Sequence, residues 1–411
     1  MSTVAAPPPT APTAPPAQTI GAYARRWWTG VKAGDLGSLP IFVGLIVIAI
    51  VFQLQNDRFL TAGNFVNLMV QTAPYAVIAM GVTFALLLGE IDLSIGFVSG
   101  VGGVMIALLL MPDGNELPTA VAMILVLGAG LGIGTMHGLI ITKIGVPSFV
   151  VTLAGLLAWN GVVLLMIGSR GTVILQNDFV IGLANDFMEP WAAWVLALVC
   201  VGLYAAVQLA RLRSRRKAGL QADPVLIVAL RIAGLGAALA IVVAVANEDR
   251  GMPYAAILVG GLFVFWTYVL NRTRFGRHIY AVGGNTEAAR RAGIDVDRVK
   301  IACFAICSAM AVLGGIVLAS RLRSVDTNTG GGQALLYPIA AAVIGGTSLF
   351  GGRGTMKAAL LGALVMLSID NGLGLLGLSS GTKFVLTGGV LLLAVTVDSI
   401  SRRGREHSGR A

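Results

Sequence analysis

Charge is scarce in this sequence. Asp, Glu, Lys and Arg make up 12% of its 411 residues, about half the share of a soluble domain. Hydrophobic residues make up 56%, and the mean hydropathy is +0.85. A water-soluble globule is thereby excluded, and a polytopic membrane protein remains. Cysteine is nearly absent. Cys200, Cys303 and Cys307 all lie in apolar runs, so neither a zinc site nor a disulfide framework follows. Cys303 and Cys307, four apart, share a helix face and read as packing. His137 stands alone among glycines and reads as a packed or hydrogen-bonded side chain. No G-x-x-x-x-G-K-[ST] run exists, so the chain has no such loop for ATP phosphates, and any use of ATP falls to a partner. The run "GLGLLG" (Gly372–Gly377) matches G-x-G-x-x-G but follows no strand, which excludes a dinucleotide site. No nucleophile–base set and no metal cluster is visible.

What the sequence has instead is apolar runs. A helix needs roughly 20 apolar residues to cross a bilayer. Twelve candidates occur, near 39–54, 66–89, 92–111, 118–142, 148–168, 191–210, 225–246, 253–271, 301–319, 335–351, 355–377 and 383–400. The tenth is the weakest. The expected fold is therefore an all-α polytopic bundle. Ahead of it, Met1–Gln18 is an Ala/Pro/Thr stretch that cannot build a core and reads as a disordered tail, not a secretory signal. Trp27 and Trp28, beside Arg25 and Arg26, read as an interfacial anchor. The expected division is a tail over 1–38, a membrane domain over 39–400 and a second tail over 401–411.

Lys and Arg set the orientation. With the N-terminus inside, 22 of them fall in inside segments and 6 outside. The outside set is Arg58, Arg170, Arg250, Arg321, Arg323 and Lys383. This asymmetry predicts both termini in the cytoplasm. It also explains the net charge of +10 without a nucleic-acid partner.

The longest polar inside segment is 272–300. Within it, "GGNTEAARRAGIDVDRVK" (Gly283–Lys300) reads as a short helix outside the membrane. Asn285 or Thr286 caps it, and Glu287 in the first turn complements the dipole. Ala288, Ala289, Arg290 and Arg291 favour helix, and Gly293 ends it. Two turns are too few for independent stability, so the alanine face invites a groove on another protein. "GEIDLSIG" (Gly89–Gly96) raises a second question. A carboxylate at the bilayer centre costs about 2.5–3.5 kcal/mol, so Glu90 and Asp92, with Ser94, form either a solvated interfacial turn or part of a polar cavity. Asp370 and Asn371 lie inside the eleventh span, where ionisable groups are functional candidates. A neutral, hydroxyl-rich solute needs scattered donors and acceptors, and Gln333, Thr347, Ser348 and Asn371 fit. Helix-to-helix packing is the competing use. The small-residue run "GAGLGIGTMHG" (Gly128–Gly138) reads as helix packing.

These stretches carry a resemblance. Glu287-Ala288-Ala289-x3-Gly293 resembles the E-A-A-x3-G signature of ABC-importer permease subunits. "GEIDLSIG", "VPSFVVTLAG" (Val146–Gly155), "FGRHIYAVGGNTEAARRAGI" (Phe275–Ile294), "VIGGTSLFGGRGT" (Val343–Thr355) and "DNGLGLLGLSS" (Asp370–Ser380) resemble its monosaccharide branch. The resemblance implies a ten-span core in the bacterial inner membrane. It implies no cofactor of the chain's own, with ATP bound by a partner subunit. Its partners would be an ABC ATPase docking on the coupling helix, a periplasmic or extracellular sugar-binding protein, a second permease copy and membrane lipid. The additional pair near 191–246, with its "RRKAGLQ" linker, resembles the D-xylose permeases of that family and implies xylose as the sugar. The competing classes are an ion-coupled secondary sugar transporter, for which Asp370 lacks an evident basic partner, and a membrane enzyme, for which no catalytic set exists.

Overall fold

The computed structural model describes residues 39–112, 117–220 and 222–389, together with Gly21, Arg25, Leu392 and Thr396. Nearly all of the expected N-terminal tail, its tryptophan anchor, the C-terminal tail and half of the twelfth span lie outside these residues.

The described chain is helical, as its composition demands. In order come α1 (Leu39–Gln55), α2 (Ala62–Leu87), α3 (Ile95–Leu109), α4 (Thr119–Leu139), α5 (Ser148–Ile167), α6 (Asp178–Asn185), α7 (Pro190–Lys217) and α8 (Val225–Asn247). Then follow α9 (Tyr254–Arg272), α10 (Arg274–Gly284), α11 (Thr286–Arg291), α12 (Val296–Leu322), α13 (Gln333–Ile344) and α14 (Met356–Leu375). Residues 380–389 are helical as well. Among the described residues, eight helices are long and apolar enough to cross a membrane, and α1, α3 and α13 are shorter apolar helices. The tenth expected span, 335–351, needs correction. Its helix stops at Ile344, because Gly346 turns at φ 101° and a loop follows.

The chain divides into two compact units. Glu189–Asn247 holds α7 and α8, the expected additional pair, packed on each other. The other unit is the core, Ser38–Met188 with Glu248 onward. Two short antiparallel ladders lie in that core. β1 (Thr172–Ile174) pairs with β4 (Ser324–Asp326), Val173 opposite Val325. β2 (Phe187–Met188) pairs with β3 (Met252–Pro253), Met188 opposite Met252.

α12 is the axis of the core and packs against α2, α3 and α4. Small residues let these backbones approach, since lipid supplies no hydrophobic drive between helices. On α4, Gly130, Gly134 and Gly138 all face α12; a Cβ at Gly138 would lie 2.7 Å from Ile301 Cα. The intervening Gly128 and Gly132 meet nothing, so the small-xxx-small reading holds on one face only. Cys303 and Cys307 are fully buried on α12. Large apolar side chains such as Leu54, Leu165 and Leu198 are exposed, as lipid-facing residues of a multi-pass membrane protein are. Segments expected on one side of the membrane meet one another: Lys143 pairs with Asp297 at 2.7 Å, and Arg250 donates to Asn67 Oδ1 at 2.7 Å.

Candidate functional site

The expected inner end of the core is built around the segment that follows α9. Thr273 closes α9 by donating to Val269 O at 2.7 Å and caps α10 by accepting from Gly276 N at 3.1 Å. α10 buries Gly276, Ile279 and Val282, spaced for one helical face. Asn285 then reverses the chain and caps α11, its Oδ1 accepting from Ala288 N at 2.9 Å. Of the two capping candidates it is Asn285 that caps; Thr286 instead donates to Val282 O at 2.9 Å. Glu287 and Arg291 pair at 3.2 Å in solvent. Gly293, at φ 82°, ends the helix, and Ile294 N returns to Ala289 O at 3.1 Å in a Schellman-type closure. The alanines divide by burial, with Ala288 and Ala292 exposed. Ala289 packs into its own chain, 4% exposed, while Glu287, Ala288, Arg290 and Arg291 of the helix face outward.

The turn of "GEIDLSIG" lies beside this segment. Gly89, at φ 77°, lets α2 stop and the chain turn. Glu90 and Lys300 then form a partly buried ion pair. Asp92 is not a solvated acid. It is 1% exposed, and its Oδ1 accepts from Ser94 N at 2.9 Å and Ser94 Oγ at 2.6 Å, just ahead of α3. His137, also buried, accepts from Trp159 Nε1 at 3.2 Å. The loop after α13 reaches the same end. Ser348 N donates to Arg353 O at 2.8 Å and its Oγ accepts from Phe350 N at 3.1 Å. Tyr280 Oη donates to Gly354 O at 2.8 Å, and burial raises the Tyr280 phenol above its usual range, which keeps it a donor.

The other polar candidates gather at the opposite end of α13 and α14. Asp370 Oδ1 accepts from Gln333 Nε2 and from Tyr337 Oη, both at 3.0 Å. Tyr75 and Tyr337 lie with ring centroids 5.7 Å apart, and Tyr75 Oη reaches Gln333 Oε1 at 3.4 Å. Asn371 and Asn64 exchange amide hydrogen bonds, and Asn371 also donates to Gln71 at 3.4 Å. Gln71 lines a pocket of about 470 Å³ with Asn67, Asn185, Arg250, Arg321 and Arg323. Three of the six expected outside cations therefore share one pocket.

The sequence candidates thus fall into two groups. Gln333 and Asp370 come together, and Asn371, next in sequence to Asp370, pairs with Asn64 and Gln71 instead. Thr347 and Ser348 do not join them; they lie in the loop at the inner end, with Thr347 buried at 2% exposure. Sequence reasoning missed Asn64, Gln71, Tyr75 and Tyr337. The first three, at i, i+7 and i+11 on α2, form a polar stripe that helical spacing reveals. Among the described residues no group of three or more His, Cys, Asp or Glu is placed to hold a metal.

Comparison with known proteins bears on both ends. The family model described as branched-chain amino acid transport system / permease component matches residues 64–395. The xylose transport system permease protein XylH of Escherichia coli K12 is 37% identical over 384 residues, covering 92% of this chain and 95% of the relative. XylH of Haemophilus influenzae is 32% identical over 89% of this chain and 98% of its own. The ribose import permease protein RbsC of Escherichia coli K12 is 32% identical over 91% and 97%. No solved structure matches.

Proposed function

The chain belongs to this permease-component family of ABC importers, a multi-pass protein of the bacterial inner membrane, and from that premise we propose that it carries a monosaccharide, D-xylose first, through that membrane at the expense of ATP bound by a separate subunit. In this reading the spans number twelve, both termini are cytoplasmic, and two copies form the pore. A soluble sugar-binding protein delivers from outside, and an ABC ATPase works from inside.

The single observation that carries the reading is α11. A two-turn helix cannot hold itself, yet here it is fixed by the Asn285 cap, the Ala289 anchor and the Gly293 closure while Glu287, Ala288, Arg290 and Arg291 are left outward. That is the form of a docking element. At the other end, Gln333, Asp370, Asn371, Tyr75 and Tyr337 supply amides, a carboxylate and two ring faces, the groups that hydroxyl-rich rings bind. Glu90, Asp92 and Ser94 sit at the inner end, where a gate would close. Asp370 hydrogen-bonds to neutral Gln333 and Tyr337, an arrangement that gives an ion-coupled carrier no acid–base pair to work with.

The test is reconstitution with an ABC ATPase and a xylose-binding protein in liposomes. ATP-dependent accumulation of D-xylose is expected. Accumulation driven by a proton or sodium gradient without the ATPase would overturn the reading.

A further inference from the structure

The loop 345–355 between α13 and α14 brings its backbone directly against the main chain at the expected inner end. A Cβ at Gly351 would lie 2.7 Å from Gly283 O and 2.9 Å from Gly89 N, and one at Gly283 would meet Gly352 N at 2.8 Å. Gly351 and Gly352 also sit at φ 84° and 72°. Three strands of main chain therefore meet without side chains between them: the end of α10, the turn after α2, and this loop. Two hydrogen bonds fasten the contact. Gly352 N donates to Leu87 O at 2.8 Å, and Tyr280 Oη to Gly354 O at 2.8 Å. α10 runs into α11 through Asn285 alone, so whatever displaces α11 displaces Gly283.

Beyond the loop, α13 and α14 form a hairpin packed as closely. A Cβ at Gly362 would lie 2.6 Å from Ala341 C and 3.0 Å from Gly345 N. Close-packed interiors transmit displacement instead of absorbing it. The far end of that hairpin carries Gln333, Tyr337 and Asp370, joined to one another. Met356 and Asp370 are about 20 Å apart along α14 at 1.5 Å per residue.

We propose that loop 345–355 is the relay between the ATPase-facing helix and the polar cluster, with Tyr280 and Gly351 as its positioning residues. Displacement of α11 pushes residues 351–354 through Gly283 and Tyr280, and the α13–α14 hairpin delivers the movement to Asp370. This rests on the reading of α11 as the ATPase contact and adds the route inward from it. Direct backbone contact explains Gly351 and Gly352 of the "FGGRG" stretch (Phe350–Gly354), while a Cβ at Gly354 would meet the Thr347 side chain at 2.7 Å.

The test uses the full complex in liposomes and reads D-xylose taken up per ATP hydrolysed. Tyr280→Phe keeps the ring and removes one hydrogen bond, which corresponds to roughly a fivefold loss in that ratio. Gly351→Ala intrudes on Gly283 and lowers the ratio further. Both complexes are expected at wild-type amount, with ATP hydrolysis retained. Should Gly351→Ala fail to assemble, Tyr280→Phe decides alone. An unchanged ratio in Tyr280→Phe, or uptake and hydrolysis falling in step, overturns the relay. A wild-type complex that takes up no sugar overturns the functional reading first, and the relay with it.

Discussion

Asn64 and Asn371 face each other across α2 and α14, and each amide donates to the other's oxygen, at 2.9 and 3.0 Å. Both are buried. The pair lies one residue from Asp370 and fixes the angle at which α14 presents it. Removing Asn371 leaves the buried Asn64 Oδ1 without its donor, although Asn64 Nδ2 keeps Phe59 O at 2.8 Å, at a cost of about 1–3 kcal/mol. Asn371→Leu is therefore expected to melt at lower temperature in detergent, and Asn64→Leu/Asn371→Leu to recover much of the loss. A double variant no more stable than the single would show that the pair contributes nothing as a pair.

Asp370 distinguishes path from packing. Asp370→Ala removes the acceptor shared by Gln333 and Tyr337. Xylose uptake should fall at least tenfold while the protein inserts at normal abundance, and Asp370→Asn should keep part of it. Normal uptake in Asp370→Ala would make the cluster a helix clamp and nothing more.

Coupling is tested at the ends of α11. Glu287→Lys reverses the charge in the first turn, at about 0.3–1 kcal/mol, and also sets a like charge against Arg291, its ion-pair partner. Gly293→Pro forbids the positive φ that closes the helix. Each variant should reach the membrane in normal amount, yet ATP hydrolysis should no longer respond to sugar-loaded binding protein. Near-normal uptake in the double variant would reduce α11 to an ordinary loop.

The ion pair of Glu90 with Lys300 ties the turn after α2 to the base of α12. Glu90→Lys leaves two like charges partly buried together and should lower uptake strongly. Adding Lys300→Glu should restore it. Failure of the swap to restore any activity would mean that Glu90 acts through something other than Lys300.

Topology has its own measurement. A cysteine placed between Arg211 and Pro224, and a tag at the C-terminus, should both resist an impermeant reagent added to intact cells. Labelling of either from outside would break the twelve-span arrangement.

Sequence periodicity and charge carried a good part of this. The helices Pro190–Lys217 and Val225–Asn247, the short helix at 286–291 and the packing face of α4 depend on neighbours within a few residues, where capping, spacing and small side chains are readable. The grouping of polar residues depends on distant partners. Glu90 meets Lys300 from 210 positions away, and no local pattern announces that. Gln333 and Thr347 looked alike as scattered polar positions. They stand near opposite ends of one short helix, and only the closing of the α13–α14 hairpin decides which of them joins Asp370. Asn64 escaped notice because an apolar window starting at 66 leaves it outside.

Met188 stands opposite Met252 in the β2–β3 ladder, so the chain leaves the core for α7 and α8 and rejoins it at the same rung. An excursion with coincident ends can be cut out and the ends tied by a tight turn without rerouting anything that remains. The two helices then read as a cassette that a single insertion or deletion adds or removes without changing the path of the rest. A chain shortened in that way, with Met188 joined to Met252 through a two-residue turn, is the natural starting point for asking what the cassette adds.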